Sequence, residues 1–265
     1  MRFISASFFI FFLLILISST NEAIKEYPQD YFRAPVSNTM FLSGTFGELR
    51  PNHFHSGIDI KGKVGQSLYA IADAYVSRIK IQEGGYGKVL YLRHPNGYTS
   101  VYAHMDKFDA KIEKFVTEAQ YKKKTYEIEL YPSATQFVFK KGQVIGKMGV
   151  TGRSFGPHLH FEIRSTASER PINPLLFGLK VADTQSPRMH ELKIYHLNDK
   201  RETLKTKTLK LVKKGRGYGI KGDTLNIGAW RAGFALKVYD HMNGVTNWNG
   251  IYALKMYQDD VLVYD

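Results

Sequence analysis

Two histidines separated by one leucine stand in Gly156-Pro157-His158-Leu159-His160-Phe161-Glu162-Ile163-Arg164. Read as a strand, this stretch places residues two apart on one face, so both imidazoles point one way and Leu159 and Phe161 the other. Gly156-Pro157 keeps the chain from entering as a helix. A same-face pair of neutral imidazoles can begin a zinc site, although such pairs also occur on solvated strands that hold no ion. A hydrolytic zinc keeps three protein ligands and one open position, so more must come from elsewhere. His55-Ser56-Gly57-Ile58-Asp59 offers an imidazole and a carboxylate. Gly57 within it and the isoleucines flanking Asp59 favour an extended segment. Positions 55, 57 and 59 then share a face, and Gly57 leaves room for an ion between the ligands. Tyr102-Ala103-His104 closes a third strand-like run. Alone, Asp59 reads as a turn residue and His104 as a half-buried strand histidine. His53, two before His55, is a rival ligand, and Arg50 and Asn52 read equally as site-lining or structural.

These patches resemble the motifs of the lysostaphin-type (LytM) zinc metallopeptidases, family M23: a His-x-x-x-Asp, a Tyr-Ala-His and a His-x-His. Gly57-Ile58-Asp59-Ile60, Gly84-Gly85-Tyr86-Gly87 and Gly142-Gln143-Val144-Ile145-Gly146 are similar too, and the likeness covers roughly residues 40–176. The resemblance implies that His55, Asp59 and His160 bind one Zn2+ per chain and that His104 and His158 are catalytic. The family pattern puts the first ligand at His55, four before the Asp, and not at His53. The resemblance further implies an exported endopeptidase that cuts peptide bonds of peptidoglycan stems or cross-bridges through a zinc-bound water. The alternative is a non-catalytic, LytM-like wall-binding regulator of another hydrolase, which would be expected to have lost ligands; none of the five positions is substituted. Without a His-Glu-x-x-His, no helix-borne glutamate serves as base. A histidine, whose pKa lies near about 6.5, takes that part. Sharing a face with His160 favours His158; His104 is left to orient the water or to hydrogen-bond the oxyanion.

The expected fold class is mainly β: an antiparallel LytM/M23-type peptidase domain with a groove, followed by a smaller β-sandwich-like module. The expected boundaries are 1–23 for a signal peptide, 24–180 for the peptidase domain and 181–265 for the module. Residues 27–36 read as an irregular lead-in, and 41–49 as a strand with a bulge. An alternating stretch near 71–74 and the runs 88–93 and 98–103 read as strands, the last two joined by a turn at Asn96-Gly97. That turn places His94 in a loop, not among the ligands. Gly84-Gly85-Tyr86-Gly87 reads as a hairpin turn. Residues 106–141 are an insertion: Ile112, Phe115, Val116 and Ala119 have helical spacing, and two short strands follow, expected as a hairpin near one rim of the groove. Past Ala182 to Pro187, strands are expected at 192–196, 208–212, 225–230, 234–239, 251–257 and 261–264. The chain stops directly after the last run, leaving open whether the module continues in a longer parent protein.

The 265 residues are 43% hydrophobic and contain no cysteine, so disulfides and thiolate metal sites are excluded. After Met1-Arg2 comes an apolar span of about 15 residues ending at Ile17, then small and polar residues to Ala23. That is short of the roughly 20 needed to cross a bilayer, and it predicts a cleaved signal with no stable membrane insertion afterwards. The expected location is the periplasm, the cell envelope or the medium. The net charge of +13 favours anionic surfaces. With no recognition helix, finger spacing or aromatic RNA-binding signature, peptidoglycan is the expected partner and nucleic acid is not.

Overall fold

The computed structural model describes residues 26–222 and 224–265; the expected signal segment, 1–23, lies outside them. Among the described residues no helix is long and apolar enough to cross a membrane. The first part of the chain runs β1 (Leu42–Gly44), β2 (Ile58–Lys61), β3 (Ser67–Tyr69), β4 (Ala74–Ile81), β5 (Lys88–Arg93), β6 (Tyr98–Ala103), β7 (Met105–Phe108), α1 (Ala110–Lys123), β8 (Ile128–Leu130), β9 (Val138–Phe139), β10 (Val144–Met148), β11 (His158–Ser165) and β12 (Pro171–Ile172). The main sheet has the order β1-β2-β11-β6-β5-β4-β8, with β12 beside β11 and β9 beside β4. Its pairings are antiparallel. A smaller sheet, β3-β10-β7, completes the mainly β architecture.

Alternation along these strands gives the main sheet two unlike faces. Ile58, Ile60, Leu90, Leu92, Tyr102, Leu159, Phe161 and Ile163 enter the large core with the second sheet's Leu68, Met105 and Ile145. The lead-in has no strand, yet Phe32 and Val36 belong to that core, and the Phe32 ring lies 5.4 Å from Phe177. On the other face Val89, Tyr91, Val101 and Ala103 make a small apolar floor with Tyr86 packed against it. The β5–β6 hairpin turns at Gly97, whose φ of 84° suits glycine. The 71–74 expectation is displaced: residues 71–73 are bends, and the strand is β4.

The insertion also differs from expectation. Helix α1 forms where the spacing places it and buries Ile112 and Val116, but β8 and β9 do not pair as a hairpin. Each adds to β4 instead, Leu130 opposite Ile79 and Phe139 opposite Ala74, extending a sheet edge whose backbone would otherwise lack partners. That edge lies four strands from β11, roughly 19 Å at about 4.8 Å per strand, so β8 and β9 are not beside His158 and His160.

In the C-terminal part, β13 (Arg188–Leu197) pairs with β14 (Thr203–Lys210) and β17 (Arg231–Tyr239). Two hairpins stand apart, β15 (Val212–Lys214) with β16 (Gly217–Gly219) and β18 (Met256–Gln258) with β19 (Val261–Tyr264). The run 225–230 is irregular, and 251–257 is a strand only from Met256. Apart from Ile194 and Met242, this part contributes almost nothing to the buried apolar set.

Candidate metal centre

His160 lies in β11 and faces Asp59 of β2 directly across the ladder, as it faces Ala103 of β6 on the other side. His55 comes from the chain just before β2, whose strand begins at Ile58. The expected extended run 55–59 is therefore strand only from 58. Gly57 serves a different purpose from the one its position suggested. A Cβ there would lie 2.3 Å from the Phe161 carbonyl oxygen, so glycine allows backbone approach to β11 and does not make room for an ion. His104 lies between β6 and β7 with φ 58°, a left-handed conformation that turns the chain out of β6. Strain of this kind is common where a side chain must be aimed.

Three donor atoms converge. His55 Nε2 lies 3.1 Å from Asp59 Oδ1 and 2.9 Å from His160 Nδ1, and His160 Nδ1 lies 3.0 Å from Asp59 Oδ1. Their outer partners fix the tautomers. His55 Nδ1 donates to the Thr45 carbonyl at 2.7 Å, and His160 Nε2 donates to Glu162 Oε1 at 2.9 Å. With those protons committed outward, two imidazole lone pairs and a carboxylate oxygen face one another. Acceptors so arranged call for a cation. Tetrahedral ligands about 2.0–2.1 Å from zinc are roughly 3.3 Å apart, so the triangle fits that ion closely. Arg50 Nη2 holds the other carboxylate oxygen, Asp59 Oδ2, at 3.3 Å and leaves Oδ1 for the cluster.

The local field favours positive charge. Burial tends to raise the Asp59 carboxyl, but His160 and His55, which can donate to it once they carry a second proton, hold it well below the usual carboxylate range. Burial lowers His160, yet Asp59 and Glu162 raise it to about 9. A proton on Nδ1 and a bound cation compete for the same lone pair. Glu162, 0% exposed, accepts from Ser56 Oγ at 2.6 Å, and from Tyr86 Oη, His160 and Arg164. Burial raises its carboxyl, but His160 and Arg164 hold it at about 2. The Tyr86 ring stacks on His160 at 5.0 Å.

Two further imidazoles stand beside the cluster. His158 Nδ1 is 2.8 Å from the Gly156 carbonyl, and its Nε2 is 3.7 Å from Asp59 Oδ1. His104 Nδ1 is 2.8 Å from the Thr151 carbonyl, and its ring centroid is 4.7 Å from that of His158. Burial pushes His104 down to about 4, against the raising contact with Thr151. Both rings thus donate through Nδ1 and present a bare Nε2. His53 is exposed and bonded to Asn52, away from the cluster; His94 is buried between the Asp73 carbonyl and Ser100 Oγ. Glu162 was missed in the sequence although 158, 160, 162 and 164 share a face. For Ser56 and Tyr86 no spacing gave a signal.

Residues 53–121 and 130–174 match the family model Peptidase family M23. This stretch is a Peptidase family M23 domain. Between its two matched stretches the family model omits only 122–129, so most of the segment read as an insertion falls within them. The chain is also similar to curated relatives, in one case over more residues than the M23 stretch contains. The DD-carboxypeptidase/endopeptidase Mpg of Neisseria meningitidis is 34% identical over 125 residues, 47% of this chain and 23% of the relative. The peptidoglycan DD-endopeptidase ShyC of Vibrio cholerae is 27% identical over 184 residues, 69% and 36% respectively. The murein hydrolase activator NlpD of Salmonella dublin is 32% identical over 123 residues, 46% and 26%. The chain thus spans about a quarter to a third of the length of these relatives.

Proposed function

We propose that the protein is an exported zinc metalloendopeptidase acting on peptide bonds of bacterial peptidoglycan. The observation that carries this reading is the meeting of three ligand lone pairs with two bare imidazole nitrogens at their side. His55, Asp59 and His160 would hold the ion. When bound there, zinc supplies Lewis acidity and brings a water's pKa to about 7. His158, with Nδ1–H held by the Gly156 carbonyl, accepts the attacking water's proton at Nε2 and returns it to the leaving amine. His104, neutral and pinned at Thr151, also offers an acceptor, so it orients that water. It can donate to an oxyanion only after taking up a proton, which narrows the choice left by the sequence. The peptidoglycan activity of the Vibrio relative and the basic charge support the substrate class.

The test is incubation of purified protein with isolated sacculi and separation of the muropeptides. Loss of cross-linked species that stops with a chelator and in His160→Ala is expected; no metal-dependent change would refute the reading. Similarity to a hydrolase activator favours a second reading, a wall-binding regulator. Metal analysis separates them: one zinc per chain supports the enzyme, and none supports the regulator.

A further inference from the structure

The face of β11 that carries His158, His160 and Glu162 goes on to Arg164. The register sets Arg164 opposite Thr99, Thr99 opposite Arg93, and Arg93 opposite Tyr75, with Tyr91 opposite Arg78 one row nearer the metal centre. A cavity of about 350 Å³ lies over these residues, walled by Tyr131, Pro132 and Ala134 of the 130s segment and by Glu169. Three guanidiniums border it. Arg78 and Arg164 approach the Tyr91 ring at 4.7 Å and 5.9 Å and are each tied to one buried or half-buried acid, Glu129 and Glu162. Arg93 has no carboxylate partner among the described residues and donates only to Tyr75 Oη at 3.2 Å. Arg78 Nε is buried without an acceptor. Donors therefore outnumber acceptors here, and the one acid lining the cavity, Glu169, is exposed at its rim.

We infer that this cavity is a subsite for a carboxylate carried by the substrate peptide. Guanidinium forks match a carboxylate in charge and geometry, and tyrosine walls suit the peptide on either side of it. Four residue steps along β11 lead from His160 to Arg164, roughly 13 Å. An extended peptide covers that in about four residues. The subsite therefore selects a substrate with an acid about four positions from the bond at the metal centre. Tyr131 to Ala134 give the 130s segment a part in selection, at the far end of the sheet face and not beside the catalytic histidines.

This inference rests on the peptidase reading, but its test does not need turnover. The full chain carrying His158→Ala and loaded with zinc is titrated with a fluorescein-labelled tetrapeptide ending in a free carboxylate, and with its C-terminal amide. The acid is expected to bind at least about tenfold tighter. Adding Arg93→Ala, at an exposed position, should remove that preference and leave the amide unchanged. Glu169→Gln should tighten the acid only. Equal binding of both peptides, no binding of either, or an equal loss for both in Arg93→Ala overturns the subsite. A preserved preference, with the wild-type protein leaving sacculi intact, would instead refute the peptidase reading and leave the subsite standing.

Discussion

On one face of β11, Leu159, Phe161 and Ile163 are fully buried in a core of carbon. On the other, His160 and Glu162 are 4% and 0% exposed, almost as dry, yet His160 Nε2 and both Glu162 oxygens are hydrogen-bonded. Burial does not distinguish core from site on this strand. What differs is how the buried groups are satisfied: packing alone on one side, and on the other a network that leaves three lone pairs facing one point. A strand is well suited to such a division, because a period of two keeps adjacent residues from interfering.

The contrast is broken or upheld most strongly by substituting neighbours on opposite faces. His160→Ala removes a donor atom from the centre, and zinc affinity should fall by more than the about 100-fold typical of losing an outer partner. Phe161→Ala should leave the zinc stoichiometry of the folded protein unchanged while lowering unfolding free energy by about 3–5 kcal/mol. Zinc titration and denaturant unfolding of both variants check this. If the two lose metal and stability in the same proportion, the faces are not separate in function.

A smaller effect tests the network itself. Glu162→Gln keeps the shape and one acceptor, but its amide then meets donors from Ser56, Tyr86 and Arg164. His160 loses the anion that holds its Nε2 proton. Zinc affinity should fall about 10–100-fold, since outer-shell partners of metal-bound histidines commonly count for that much. Competition with a chromophoric chelator measures it, and an unchanged affinity would show that the His160 tautomer does not depend on Glu162.

Much of the centre was legible because its parts are local patterns. His158 and His160 two apart, Asp59 between isoleucines and His104 after a strand-like run are readable without knowing the partners. The sheet's strands near 88–93 and 98–103 and the turn at Asn96-Gly97 were legible for the same reason. What depends on the third dimension was not. Gly57 is set by the Phe161 carbonyl of a strand about a hundred residues away, and β8 and β9 by an open edge of β4. In the C-terminal part, runs such as 225–230 have strand-like composition but bury little, so composition has no packing to enforce it.

His94 gives the gentlest test, because it is a buried histidine away from the cluster with no carboxylate acting on it. Its Nδ1 donates to the Asp73 carbonyl at 3.0 Å, and its Nε2 accepts from Ser100 Oγ at 2.8 Å, so the neutral ring is fully satisfied. Burial lowers its pKa from 6.5 to about 4, whereas His160, buried as deeply but between two acids, is raised. Because the folded value lies below the unfolded one, the unfolded chain takes up the proton first as pH falls. His94 therefore contributes stability that is complete above about 6.5 and is lost on the way down to about 4. The slope approaches about 1.4 kcal/mol per pH unit for one proton. His104, shifted in the same direction, adds to the wild-type slope, so the informative quantity is a difference. His94→Gln should be less stable at pH 8 and should lose about one proton's worth of slope between pH 6.5 and 4. Parallel stability curves for the two proteins would mean that His94 is not held neutral by burial.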